Sequence, residues 1–404
     1  MIQLVYNGEE KRWGTLNAHR TMSWGHNKQP VARAKSDNGP QITLSSYGDR
    51  IGPLIGLLTS AHKSHHFSGN KPLFSKLAKE VAKRGGCLVV FTPEDVKESE
   101  IEGYCLKEGS DQWIRATFPY PNMIYNKIPS RTEENKRQTI RLLKQIRTRK
   151  IPYFNPHFFN KWSMFEILSR DPFLRSFLPA TRLFSGPSNL LDMLGNYKRI
   201  YLKPTNKSQG KGVFTLEAID EKQYLMTTNR KQLHLTFPKL TDLLLPYTDQ
   251  LILQQAIRLR TYQDKPYDYR IHMHKLWHRW HMTGIGVRLG KAGSITTHVP
   301  QGGSILSIDQ LPAPPDEQVV KRIGKKAAMA LERAYGPHGE CSLDIGEDQD
   351  GGLWLFEVNA KPMTFDEPSI QRNIIQALTA IFFEWSGFHD GKGGYDEYHQ
   401  NDLR

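Results

Sequence analysis

Residues 341–362 hold three oxygen donors at spacings that bring them together. Asp344 sits in one apolar run and Glu357 and Asn359 in the next, with Glu347-Asp348-Gln349-Asp350-Gly351-Gly352 between them as a hairpin turn. Along a strand, residues i and i+2 project from one face, so Glu357 and Asn359 point together and Asp344 reaches the same place across the hairpin. Two carboxylates and an amide oxygen are hard donors, which suit Mg2+ or Mn2+ and leave positions open for water and phosphate oxygens. Phe356 and Val358 are expected to fill the opposite face. The competing reading is a hairpin with a solvated acidic face, against which stands the cost of grouping three polar side chains beside apolar neighbours.

A second arrangement is Tyr201-Leu202-Lys203-Pro204, followed by Thr205-Asn206-Lys207-Ser208-Gln209-Gly210-Lys211-Gly212 and Val213-Phe214-Thr215. A lysine at a strand end, ahead of a loop with Ser, Lys and Gly, offers an ammonium and several backbone N–H groups to phosphate oxygens. Because no helix follows the glycines, the loop is neither a Walker loop nor a dinucleotide fingerprint. Read alone, it also fits a plain hairpin turn.

Histidines form two further groups. His272 and His274 alternate along a strand, and His278 and His281 sit in a turn with Trp277 and Trp280, so a solvated or substrate-facing sheet surface is expected rather than a metal site. His62, His65 and His66 lie among Lys63, Ser64 and Ser68, which reads as an exposed basic loop. No Gly-x-Ser-x-Gly elbow or spaced Cys/His pair points to covalent catalysis.

Positioning these groups needs more than one core, since 404 residues exceed what a single core holds. Hydrophobic residues at 38% and charge spread along the whole length give a globular profile without a tract that must stay unfolded. No stretch approaches the ~20 apolar residues that cross a bilayer, and the N-terminus lacks the layout of a secretory signal, so a cytoplasmic protein without a membrane partner is expected. Three scattered cysteines offer neither a disulfide framework nor a cysteine-rich zinc site. The net charge of +14 favours an anionic partner. Much of it lies in residues 131–150, where Ile140, Leu142, Leu143 and Ile146 recur at helical spacing. This reads as one helix with a solvated basic face rather than a nucleic-acid stripe.

Residues 1–50 read as a small β-rich arm. From 51 to 150 an α/β domain is expected: a buried strand at 51–58, a helix at 72–84 closed by Gly85-Gly86, and a strand at 87–91 make a βαβ unit, followed by a loop-rich stretch through 119–129 and the basic helix. Beyond 150, helices are expected at 161–169, 189–196 and 316–335. Strands are expected at 179–184, 199–202, 212–218, 251–255, 269–276, 280–289, 341–346 and 353–358. A tail covers 389–404.

The ordered set Lys161, Lys203 with its Ser/Gly loop, Gln254-Gln255-Ala256-Ile257, Asp268-Tyr269-Arg270, Arg288, Asp344 and Glu357-Val358-Asn359 resembles the ATP-grasp superfamily over residues 151–388. Asn155-Pro156 ahead of Lys161-Trp162, with Arg50-Ile51-Gly52-Pro53 upstream, resembles the spore-coat-associated YheC/YheD group within it. The resemblance implies an α+β ATP-grasp body behind an open α/β domain. It implies ATP and Mg2+ or Mn2+ as cofactors, with Lys161 and Lys203 on the α- and β-phosphates and the loop Ser208, Gln209, Gly210, Lys211 and Gly212 closing over the triphosphate. The Gln255 carbonyl and Ile257 amide would form the adenine hinge, Arg288 would steady the transferring phosphate, and Asp344, Glu357 and Asn359 would hold the metal.

This sequence departs from the superfamily's usual pattern at three places, one of them Ala360-Lys361-Pro362-Met363 after Asn359, which replaces small residues and adds a cation near the phosphates. Gln254 stands where an acidic residue usually opens the hinge, and its amide oxygen can still accept from the adenine amino group. The ribose-binding residue is open between Asp264 and Asp268, with Asp268 expected to pair with Arg270 along its strand face. The function implied is an ATP-dependent carboxylate–amine ligase working through an acyl phosphate, with lysines, an arginine and metal offsetting the charge repulsion. Its carboxylate and amine substrates are unnamed, an acidic peptide or polymer among them, and spore coat components are candidate partners. The alternative is a nucleotide-binding coat-assembly protein without turnover, and nucleic-acid binding through residues 131–150 ranks third.

Overall fold

The computed structural model describes residues 1–207, 210–228, 231–291, 297, 303–362, 365 and 367–388, so Ser208 and Gln209 of the glycine-bearing loop lie outside it. Two compact units are present among the described residues: 1–156 with 276–278 and 375–388, and 157–275 with 279–374.

In the first unit, the apolar runs Leu54–Leu58 and Cys87–Phe91 pair in parallel and are buried throughout. Both faces of such strands are covered, which explains why they read as continuous rather than alternating apolar runs. The helix Lys71–Lys83 joins them, with Asn70 accepting from the Leu73 amide as its cap and Pro72 in its first turn. Leu73, Phe74, Leu77 and Val81 form its buried stripe. The full sheet runs Trp113–Pro119, Glu100–Leu106, Cys87–Phe91, Leu54–Leu58, Met123–Asn126, Tyr153–Phe154.

Met123–Asn126 falls where a loop was expected and instead pairs in parallel with Leu54–Leu58. Prolines 121 and 129 flank this four-residue strand from outside, where their missing N–H costs the ladder nothing. The basic segment is two helices, Arg131–Glu134 and Arg137–Thr148, not one. Leu142, Leu143 and Ile146 are buried as expected, but Ile140 is 53% exposed, and Thr139 takes the buried position instead. The N-terminal strands form two small sheets. Trp13 and Trp24 of these pack against Phe118, so the arm and the α/β sheet share one core.

The second unit holds two sheets. The first is antiparallel throughout, in the order Thr181–Leu183, Leu251–Gln255, Arg199–Pro204, Phe214–Ala218, Gln223–Thr227, Gln232–Thr236. Helices Pro187–Tyr197 and Phe237–Leu244 bury Leu190, Leu194, Leu240 and Leu244 against it. The second runs Ser304–Leu306, Arg279–Leu289, Lys265–Leu276, Glu340–Glu347, Leu353–Asn359. Helices Lys161–Ser169 and Glu317–Tyr335 share its core. Gly324 lets the longer helix approach, since a Cβ there would lie 2.7 Å from the Met273 sulfur. The helix Pro368–Ser386, not anticipated from the sequence, follows the last strand. Among the described residues, no helix is long and apolar enough to cross a membrane.

Candidate functional site

Lys161 opens its helix, where Asn160 accepts from the amides of Trp162 and Ser163. Its own amide donates to the Thr205 carbonyl (3.0 Å), which fastens the helix start to the end of the strand that carries Lys203. Both lysines line a cavity of about 750 Å³, together with Arg288, Asp268, Asp344 and Glu357. Lys161, 6% exposed, is ion-paired with Glu357.

Lys203 donates to Gln254 Oε1 (2.6 Å), and Gln254 Nε2 donates to Thr181 Oγ1 (3.1 Å). The Gln254 oxygen expected to face an adenine amino group is therefore engaged by a lysine. Burial pushes the Lys203 ammonium down to about 8, against the opposing pull of Glu357, with Lys161 adding like-charge repulsion.

Asp268 does not pair with Arg270. Arg288 on the adjacent strand grips both its oxygens, with Nε at 2.8 Å and Nη2 at 2.7 Å, and Thr297 Oγ1 donates to it at 2.6 Å. A guanidinium fork matches a carboxylate edge-on, a geometry open to a side chain from the next strand and harder for one two residues along the same strand. Arg288 Nη2 also lies 3.2 Å from Asp344 Oδ1. Burial opposes the Arg288 charge, yet Asp268 and Asp344 hold its pKa above the ordinary range. Arg270 instead reaches Ser342 Oγ (3.4 Å) and the Phe365 ring, and burial pushes its pKa down.

Asp344 and Glu357 are direct cross-strand partners, and Ser342 faces Asn359 two pairs further along. The ladder slips between Asp344 and Ile345, so Ile345 faces Leu355 and Phe356 is the extra residue of a bulge. Phe356 therefore lines the cavity beside Glu357 instead of filling the opposite face, where Leu355 and Val358 are buried.

Gly210, Lys211, Gln254, Gln255, Ala256 and Ile257 line the cavity, while among the described residues Gly212, Arg270 and Asn359 are outside its lining. Gly212 has φ +74°, a conformation that favours glycine. The amides of Gln255 and Ala256 donate to the carbonyls of Ala180 and Arg199, which fixes the strand end that carries the hinge residues.

Sequence reasoning missed Tyr201, Val213 and Thr297. Tyr201 and Phe356 place their rings 5.2 and 5.8 Å from the Lys203 ammonium. The alternation of Tyr201 with Lys203 on one strand face was the available signal.

The strand-borne histidines also differ from expectation. His272 and His274 are 2% and 0% exposed beside an equally buried Glu340, not on a solvated surface, whereas His278 in the turn is exposed.

A sequence profile described as YheC/D like ATP-grasp matches residues 150–386. The chain is 30% identical over 365 residues to the endospore coat-associated protein YheD of Bacillus subtilis (strain 168), covering 84% of this chain and 79% of that one. To the endospore coat-associated protein YheC of the same organism it is 24% identical over 308 residues, covering 71% and 84%. The solved structure of the VanG D-Ala:D-Ser ligase from Enterococcus faecalis is similar with a TM-score of 0.51 at 11% identity, covering 83% of this chain and 99% of that one, a likeness of fold alone. With more than half its length matched by the profile, and a relative at 30% identity over most of it, the chain belongs to the YheC/D-like ATP-grasp family.

Proposed function

We propose that this chain binds Mg2+–ATP (or Mn2+–ATP) in the cavity of its second unit and is an ATP-dependent carboxylate–amine ligase. The observation that carries the reading is the gathering of Lys161, Lys203 and Arg288 with Asp344 and Glu357 around one cavity. The donor set fits the ion. Two carboxylates meet from adjacent strands, and among the described residues the lining contains no histidine or cysteine that would favour a softer metal. Asp344, Glu357 and Asn359 would hold the ion, which would screen the phosphate charge.

Lys161 and Lys203 would take the α- and β-phosphates, exchanging the carboxylate and amide that now hold them. Arg288 would steady the γ-phosphoryl group as a substrate carboxylate takes it, and an amine would capture the acyl phosphate. Gln255 and Ile257 would meet the adenine edge, with Ser208, Gln209, Gly210, Lys211 and Gly212 over the triphosphate. Gln254, Ala256 and Asp268 complete the proposed nucleotide environment, Asp268 by fixing Arg288, while Arg270, outside the lining, would act only through its charge behind Asp344.

The net charge of +14 suits an acidic peptide or polymer as substrate, and the coat-associated relatives suggest work in the cytoplasm of a sporulating cell or at its coat. Those same names favour a second reading, a coat-assembly protein that binds nucleotide without turnover. The test is incubation with ATP, Mg2+ and a panel of amino acids and acidic peptides, following ADP release and new amide masses. ADP and a product from wild-type protein, both lost in Glu357→Ala, support ligation. Tight ATP binding without ADP under every condition supports the second reading.

A further inference from the structure

We propose that His272, His274 and Glu340 form a second metal site, taking one divalent ion of the zinc class. His274 and Glu340 face each other across paired strands, and His272 lies two residues along on the same face. One candidate ligand atom from each lies within 4.8 Å of the others, and all three residues are buried. Glu340 Oε2 is 3.4 Å from His272 Nε2 and 3.8 Å from His274 Nε2. Hydrogen bonds between nitrogen and oxygen cluster near 2.9–3.0 Å. Two donors bound at about 2.1 Å to one tetrahedral ion stand about 3.4 Å apart, which is closer to the spacing seen.

The protons point the same way. Thr283 Oγ1 donates to the His272 carbonyl (3.3 Å), so its oxygen accepts from His274 Nδ1 at 2.7 Å. With the Nδ1 proton held there, the lone pair of the neutral ring is on Nε2, facing a carboxylate oxygen. A divalent cation between these two atoms would satisfy both, in a place where burial penalises uncompensated charge. An imidazole whose far N–H is anchored to an oxygen is also how metal-ligating histidines are usually oriented.

The surroundings are closely packed. The His272 ring stacks on Phe365 (5.3 Å, 14° between planes), and Asn373 Nδ2 donates to the Thr283 carbonyl (3.3 Å). Gly284 admits Ile370 so closely that a Cβ would meet it at 2.5 Å. Two imidazoles and one carboxylate suit zinc or a neighbouring late first-row ion better than Mg2+. Among the described residues none of the three lines the proposed nucleotide cavity, so this site does not depend on the ligase reading.

The test uses full-length protein stripped with chelator and titrated with Zn2+ by calorimetry and with Co2+ by visible absorption, without nucleotide. Wild-type protein should bind one equivalent with the d–d spectrum of low-coordinate Co2+. His274→Gln and Glu340→Gln should lose it, and Thr283→Val should weaken it roughly tenfold or more. Asp344→Asn and His65→Ala should keep it, which separates this site from the nucleotide metal and from the exposed His62–His66 loop. No binding by wild type, or loss in His65→Ala, overturns the proposal. Should the glutamine variants fail to fold by circular dichroism, unchanged affinity in Thr283→Val overturns it.

Discussion

One face of the strand Lys265–Leu276 carries Asp268, Arg270, His272 and His274 in alternation, and its two ends live in different worlds. At Asp268 the face opens to the cavity, and three carboxylates there meet a lysine or arginine: Arg288 for Asp268 and Asp344, Lys161 for Glu357. At His274 the face is sealed and the groups opposing Glu340 are imidazoles, which are cationic only when protonated or metal-bound. The same two-residue period thus yields an exchangeable site at one end and a closed one at the other. What covers the strand decides which, and the strand's own sequence does not.

Breaking the open end hardest means removing Asp268. Asp268→Ala leaves Arg288 buried without its bidentate carboxylate, so urea unfolding should show a loss of roughly 3–5 kcal/mol. Lys203→Ala should keep the fold and weaken ATP binding about 100-fold, read by calorimetry; unchanged affinity would show that the phosphates lie elsewhere. A pH series sharpens the contrast. Burial holds the Lys203 ammonium down at about 8, and the proposed phosphate contact needs its charged form. ATP affinity should therefore be steady as this group stays charged below pH 8, and fall by up to about tenfold per pH unit above it. Far from either end, Ile140→Glu on the exposed side of its helix should change stability by less than about 0.5 kcal/mol.

The acidic hairpin was legible because period-2 spacing and a glycine turn are local properties. The slip at Phe356 was not, because a bulge records how two strands settle against their cores. Met123–Asn126 was hidden by its prolines, which mark loops in sequence but here stand just outside a strand. Burial of His272 and His274 was hidden for another reason. Phe365 and Ile370, which help close over that face, lie about 90 residues further along the chain. The pairing of Asp268 with Arg288 likewise spans two strands, and one strand's alternation shows only Arg270.

The register slip at Phe356 also has a consequence for how the cavity is walled. In an unbroken pleat, consecutive residues look away from each other, so an aromatic ring and an acid adjacent in sequence cannot serve one chamber. Shifting the frame by a single residue gives that chamber a flat greasy surface and a charged one from neighbouring positions, with aliphatic side chains on both sides still turned inward. Deleting one residue from this stretch would restore strict alternation and leave the chamber with either the ring or the acid, but not both.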